Sequence, residues 1–379
     1  MDDFNPFDPA IADDPYPHYA RVRATDPVYQ SPATSSWVLT GYAEVVTALR
    51  DHGRFSSAPL GSGIEGMRSL IGSDPPDHTA LRRIVQPHFI PSVVAALEPR
   101  VRSAAQPFVA AFIRAAEQGT ADLVDEIAYP VPVTVIADLL GIPAERREDF
   151  KRWSDAMIGG IGGSGRDASV YGEMFGFFAG EIDRRRAEPG PDLISALVNG
   201  REPLSQRELL MFCMLLLVAG NETTTNLLGN LMMVLLDRPD VAKRISAEPA
   251  CIPAVVEECL RFDSPVQALW RQVREDTTLG GKELAAGSSV VVLYGAANRD
   301  PAKYPEPDTF DPDRNPKDHV AFGSGIHLCL GASLARLEAR VVMEELAPVL
   351  TSLQLAGTPE RVVNPIVRGL RRLPLSLAG

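Results

Sequence analysis

Cys329 sits in the run Phe322-Gly323-Ser324-Gly325-Ile326-His327-Leu328-Cys329-Leu330-Gly331, a glycine-rich turn that leads straight into a helical stretch, Ala332 to Leu346. A sulfur placed there meets the unpaired N–H groups and the positive end of a helix dipole. Such surroundings lower a thiol's pKa and make the sulfur a ready metal ligand. Gly323, Gly325 and Gly331 would let the backbone turn tightly and approach a flat cofactor closely. The remaining cysteines, Cys213, Cys251 and Cys259, show no CxxC spacing, and two lie in apolar helical runs. That argues against a disulfide framework or a zinc site.

A second constellation, Ala219-Gly220-Asn221-Glu222-Thr223-Thr224, interrupts a long apolar stretch. Ser205 followed three residues later by Glu208 is a capping box, and the helical pattern then runs to Arg238, before Pro239. At 1.5 Å per residue this helix would be roughly 50 Å long, apolar on nearly every face and suited to the middle of a large core. Glycine and a back-bonding threonine hydroxyl would open a notch and a bend in it. A carboxylate beside a hydroxyl in such a helix is costly unless partnered. It is either a polar wedge satisfied by neighbouring helices or a site of chemistry. Two further pairs share helical faces: Glu258 with Arg261, within Val255 to Phe262, and His78 with Arg82, within Asp77 to Arg83.

Around these residues the chain reads as mostly helix with small β-sheets. Short helices are expected at Pro17 to Thr25 and Tyr42 to Arg50, with a strand at Ser36 to Leu39 between them. Further helices are expected at Pro99 to Glu117, Val133 to Leu140, Arg146 to Ile158, Ala168 to Ala187 and Asp192 to Val198. Strands return at Ser288 to Leu293 and between Val362 and Leu375. Phe55 to Ser73, rich in glycine and serine, reads as a long binding loop. No linker or charge block divides the 379 residues, so a single domain, 1–379, is expected. The net charge of −12 and the absence of a basic tract argue against a nucleic-acid binder. The N-terminus lacks a signal-peptide pattern and the apolar run Leu209 to Gly220 is too short to span a bilayer, so a cytoplasmic protein is expected. Gly61 to Gly66 and Gly160 to Gly165 both fit GxGxxG but lack the strand–turn–helix context of a dinucleotide site. The sequon Asn221-Glu222-Thr223 falls inside the long helix.

The cysteine loop, Phe-Gly-x-Gly-x-His-x-Cys-x-Gly, resembles the haem-binding signature of the cytochrome P450 family at every fixed position. The resemblance implies the mainly α P450 fold, with haem b between the long central helix and the cysteine loop and Cys329 as axial thiolate. Phe322, Gly323, Ala219 and Gly220 would line the haem. The central segment is similar to the family's oxygen-activation motif. It implies that Thr223 hydrogen-bonds dioxygen and Glu222 gates the proton supply. Glu258 and Arg261 match Glu-x-x-Arg, with Arg314 of the segment Pro305 to Arg314 completing a structural triad. His78 and Arg82 match His-x-x-x-Arg and, with Arg271 and His327, would hold the haem propionates.

The activity so implied is a mono-oxygenase that inserts one oxygen atom from O2 into a hydrophobic small molecule, in natural-product metabolism. A peroxide-dependent peroxygenase or a non-catalytic haem sensor are the alternatives. Only 50 residues follow Cys329, so electrons are expected from a separate ferredoxin or flavodoxin with its NAD(P)H-dependent reductase. Arg336 and Arg340, four apart, would form a basic patch that steers an acidic partner. Leu215, Ala219 and, through the bend at Gly220, Val218 would contact substrate, with Gln267 to Leu269 and Val363 to Val367 contributing. Trp270 before Arg271 is an unusually bulky choice.

Overall fold

The computed structural model of the chain describes residues 4–58, 69–161 and 167–378. The N-terminal part contains α1 (Tyr16–Thr25), β1 (Val28–Ser31), β2 (Ser36–Leu39), α2 (Tyr42–Arg50) and β3 (Phe55–Ser56). A helical half follows: α3 (Asp77–Val85), α4 (Pro91–Ala95), α5 (Glu98–Gln118), the short strand β4 (Ala121–Asp122), α6 (Pro130–Leu140), α7 (Arg147–Ile161), α8 (Ala168–Ala187) and α9 (Leu193–Val198). Next come α10 (Gln206–Asp237), α11 (Pro239–Ala247) and α12 (Ile252–Phe262). Beyond these lie β5 (Ala268–Val273), β6 (Thr277–Leu279), β7 (Lys282–Leu284), β8 (Ser289–Leu293) and α13 (Tyr294–Asn298). The chain ends with α14 (Ala332–Leu346), β9 (Leu353–Leu355), β10 (Glu360–Arg361), β11 (Leu370–Arg372) and β12 (Pro374–Leu377).

α10 is the axis of the molecule. Ser205 Oγ accepts from the Glu208 N–H at 3.3 Å, and the Glu208 carboxylate accepts from the Ser205 N–H at 2.9 Å, so the capping box closes reciprocally. At the far end Arg238, with φ −125° and ψ 70°, leaves the helical region, which the following proline disfavours, and the helix stops. α10 spans 32 residues without interruption. Gly220 also serves packing. A Cβ there would lie 2.8 Å from Ile136 Cδ1, so its absence lets α6 close against α10. Helices α5, α6, α7, α12 and α14 pack around this axis or around one another. Their inward residues form one large apolar core.

The strands flank the helical core. β1-β2-β8-β5-β3 form a mixed sheet in which β2 and β8 run parallel and the other pairs antiparallel. β5 is absent from the sequence reading, and the strand explains Trp270. Successive side chains alternate across a strand, so Trp270 packs on Phe7, ring centroids 5.3 Å apart, while Arg271 turns to the helical core. Two calls on loops, Gly61 to Gly66 and most of Gly160 to Gly165, lie outside the described residues.

Candidate functional site

A cavity opens between α10 on one side and the loop 321–331 with the start of α14 on the other. Two glycines shape the loop. Gly323 and Gly325 have φ of +74° and +72°, and a Cβ on Gly325 would also press on the Leu49 carbonyl at 2.8 Å. No other residue type fits there. The Cys329 N–H donates to the Phe322 carbonyl at 2.9 Å, folding the loop back so that the sulfur faces the cavity. The N–H groups of Gly331 and Ala332 and the charges of Arg82 and Arg336 favour its thiolate. The surrounding protein pushes the thiol up by desolvation, although the Cys329 side chain itself is exposed to the cavity. Cys213, Cys251 and Cys259 are buried in helical packing away from this cavity.

Arg82, Arg271 and His327 all line one end of the cavity. His78, buried on α3, packs its ring 4.3 Å from that of His327. The Nε2 atoms of both histidines are buried without a hydrogen-bond partner. Burial, reinforced by the neighbouring cations, drives the His327 pKa down to about 3 and lowers that of His78. Arg271 is buried with the Trp270 carbonyl as a hydrogen-bond acceptor at 2.7 Å. Unsatisfied donors and uncompensated positive charge converging on one cavity rim fit a pair of anionic groups. Haem, with two propionates on an apolar disc, meets that requirement.

On the opposite wall, Ala219, Gly220, Thr223 and Thr224 line the cavity. The Thr223 hydroxyl donates to the Ala219 carbonyl at 2.7 Å. Thr224 belongs to the same wall. At 100° per residue it shares a ridge with Gly220, and the cavity is broad enough to meet both ridges of α10. Leu215 lines the cavity as expected, whereas Val218 does not. Glu222 stands outside the cavity wall, half-buried, and burial raises its pKa with help from Asp155. Asn221 is wholly buried, which rules out glycosylation of the folded chain there.

Glu258 and Arg261 are fully buried and joined by two bonds, at 2.8 and 2.6 Å. Arg314 Nε lies 3.3 Å from Glu258. Arg261 also donates to the carbonyls of Asn298, Pro307 and Thr309, so the three side chains clasp the irregular segment that leads to the cysteine loop. The expected basic patch is not a free one. Arg336 is held by Glu257 at 2.5 and 2.9 Å, and Arg340 by Glu98 and Glu344 at 2.5 and 2.8 Å.

Two residues escape the sequence reading. Tyr294, buried beside Arg271, lines the cavity. Glu338 on α14 lines it as well, 1% exposed, with both carboxylate oxygens lacking a hydrogen-bond partner. Burial raises its pKa to about 8. The signal was a lone Glu on the apolar face of α14, at i+4 from Leu334. The other walls, Leu70, Ile71, Phe89, Ile136, Phe212 and Leu269, are apolar. Val363 to Val367 do not take part, and Val363 is exposed. No helix among the described residues is long and apolar enough to cross a membrane.

The family model for cytochrome P450 matches residues 173–366. The chain is 41% identical over 382 residues to a vitamin D(3) 25-hydroxylase of Pseudonocardia autotrophica, covering 96% of this chain and 94% of the relative. It is 38% identical to the cytochrome P450 monooxygenase PikC of Streptomyces venezuelae, covering 96% and 91%. The solved structure of CYP109E1 from Bacillus megaterium, in complex with testosterone, superposes with a TM-score of 0.88 at 34% identity, covering 98% and 99%. These likenesses carry the fold, a haem iron with an axial cysteine thiolate and an oxidoreductase activity. The chain belongs to the cytochrome P450 family and is a haem mono-oxygenase.

Proposed function

We propose that this enzyme inserts one oxygen atom from O2 into an unactivated C–H or C=C bond of a hydrophobic natural product of about sterol size, with Cys329 as the axial ligand. The observation that supports it best is the opposition, across one apolar cavity, of the Cys329 sulfur and the Thr223 hydroxyl. Haem, when bound, supplies the reductive activation of dioxygen. Arg82, Arg271, His78 and His327 hold its propionates, and the loop Phe322 to Gly331 carries the sulfur. The leucine and phenylalanine walls of the cavity bind substrate by burial and exclude bulk water. Thr223, tied to Ala219, fixes a hydroxyl where a proton must be handed on, and burial raises the pKa of Glu222 behind it, which suits that carboxyl to carry the proton. The vitamin D(3) hydroxylase and the testosterone complex among the relatives support a fused-ring or similarly rigid apolar substrate.

Electrons come from a ferredoxin or flavodoxin with an NAD(P)H-dependent reductase. The test is to screen sterols, terpenes and macrolides for a shift of the haem absorption band, then to assay hits with surrogate redox partners. NAD(P)H consumption with hydroxylated or epoxidised product is expected. Turnover that proceeds with hydrogen peroxide and not with redox partners would overturn the reading.

A further inference from the structure

The cysteine loop is fastened by charged groups from two helices. Glu257 on α12 and Arg336 on α14 form a two-bond pair, Nε to Oε1 at 2.5 Å and Nη2 to Oε2 at 2.9 Å. This fork orients the guanidinium plane as well as holding it. The central carbon of the guanidinium lies 4.5 Å from the centroid of the Phe322 ring, within cation–π range. Phe322 is also the residue whose carbonyl accepts the Cys329 N–H at 2.9 Å. One chain of contacts therefore runs from Glu257 through Arg336 and Phe322 to the backbone of the ligand cysteine.

His319 completes it. The Ala321 N–H donates to its Nδ1 at 3.2 Å, so that nitrogen is unprotonated and the ring carries its proton on Nε2. Nε2–H then donates to Glu257 Oε2 at 3.1 Å. The His319 side chain is buried, its ring 5.8 Å from that of Phe322. Burial alone would raise the Glu257 pKa, but the bonds from Arg336 and His319 outweigh it and lower it to about 2, so the carboxylate is ionised. The Arg336 charge acts on the Cys329 sulfur, and left bare it would hold electron density there and away from the metal. We propose that Glu257, oriented by His319, is a positioning residue for the axial ligand: it seats Arg336 on Phe322 and neutralises the guanidinium charge that the Cys329 sulfur would otherwise feel. The inference rests on the haem–thiolate reading above.

The ferric–ferrous midpoint of the substrate-free holoenzyme, measured with chemical mediators and no redox partner, reads this balance without turnover. An uncompensated cation favours the extra electron of the ferrous state, and an uncompensated carboxylate opposes it. Glu257→Gln should therefore raise the midpoint and Arg336→Met should lower it, each shifting the ferric–ferrous equilibrium about threefold or more. The double variant should return close to wild type, and Arg336→Lys, which keeps the charge, should show little of the Arg336→Met shift. Arg340→Met, one turn further along α14 and paired with Glu98 and Glu344, is the control and should leave the midpoint in place. The Arg336 side chain is 39% exposed and tolerates replacement, so the test stands even where Glu257→Gln folds poorly. Shifts of the same sign in both single variants would overturn the proposal, because a loosened loop moves both alike and only the charge pair moves them apart. A midpoint indifferent to both would overturn it as well. A wild-type holoenzyme without a thiolate-type carbon monoxide spectrum would instead overturn the axial-ligand reading on which the proposal rests.

Discussion

The Thr223 hydroxyl lies 2.7 Å from the Ala219 carbonyl, one turn earlier on the same wall of the cavity. The bond holds the hydroxyl in place with its oxygen free to accept a second hydrogen bond. Thr223→Ala should therefore keep haem content and substrate binding but release hydrogen peroxide in place of product. Thr223→Ser should recover much of the coupling. Thr225→Ala is the structural control: its buried hydroxyl donates to the Ala128 carbonyl at 3.0 Å, so its loss should cost about 1 kcal/mol of stability without uncoupling. Product and peroxide per NAD(P)H decide the matter, and full coupling in Thr223→Ala would remove the hydroxyl from the mechanism.

Cys329 alone of the four cysteines faces the cavity. Cys329→His should abolish the thiolate-type carbon monoxide difference spectrum. Cys213→Ala, Cys251→Ala and Cys259→Ala should each retain it. A thiolate spectrum surviving in the Cys329 variant would exclude this sulfur as the ligand.

Removing one partner of the buried Glu258–Arg261 pair leaves an uncompensated charge in the core. Glu258→Gln should cost about 3–5 kcal/mol and loosen haem retention, because the 305–314 segment leading to the cysteine loop loses its clasp. Urea midpoints and the haem-to-protein absorbance ratio measure the two effects. A variant with wild-type midpoint would show that the backbone carbonyls around Arg261 suffice.

Glu338 keeps its proton in the fold to about pH 8, where an ordinary glutamate loses it near 4.5. Because the folded pKa is raised, the stability from neutral Glu338 is fully present below the unfolded value. It is lost as pH climbs between the two, by roughly 3–5 kcal/mol at most. Glu338→Gln should flatten that decline. Urea midpoints of the holoenzyme at pH 5.5 and 8.5 give the comparison, and parallel slopes in both proteins would mean that Glu338 is already ionised in the fold.

Much of this molecule is written locally. The capping box at Ser205 and Glu208, the glycines at 323 and 325, and the i, i+3 and i, i+4 spacings depend on neighbours in the chain, and the sequence reading locates α10, the cysteine loop and the Glu258–Arg261 pair from them. What it misjudges depends on partners distant in sequence. Gly220 reads only as a weak point in the helix, and its close packing contact with Ile136 of α6 is not legible from its neighbours in the chain. Arg336 and Arg340 read as a basic patch until Glu257 and Glu98 arrive from other helices and neutralise them. Thr224 and Glu338 become cavity residues only because α14 and α10 bound the same space. Local spacing by itself determines which residues share a face. Tertiary packing decides what that face meets, because burial and charge pairing belong to contacts between elements and not to any one of them.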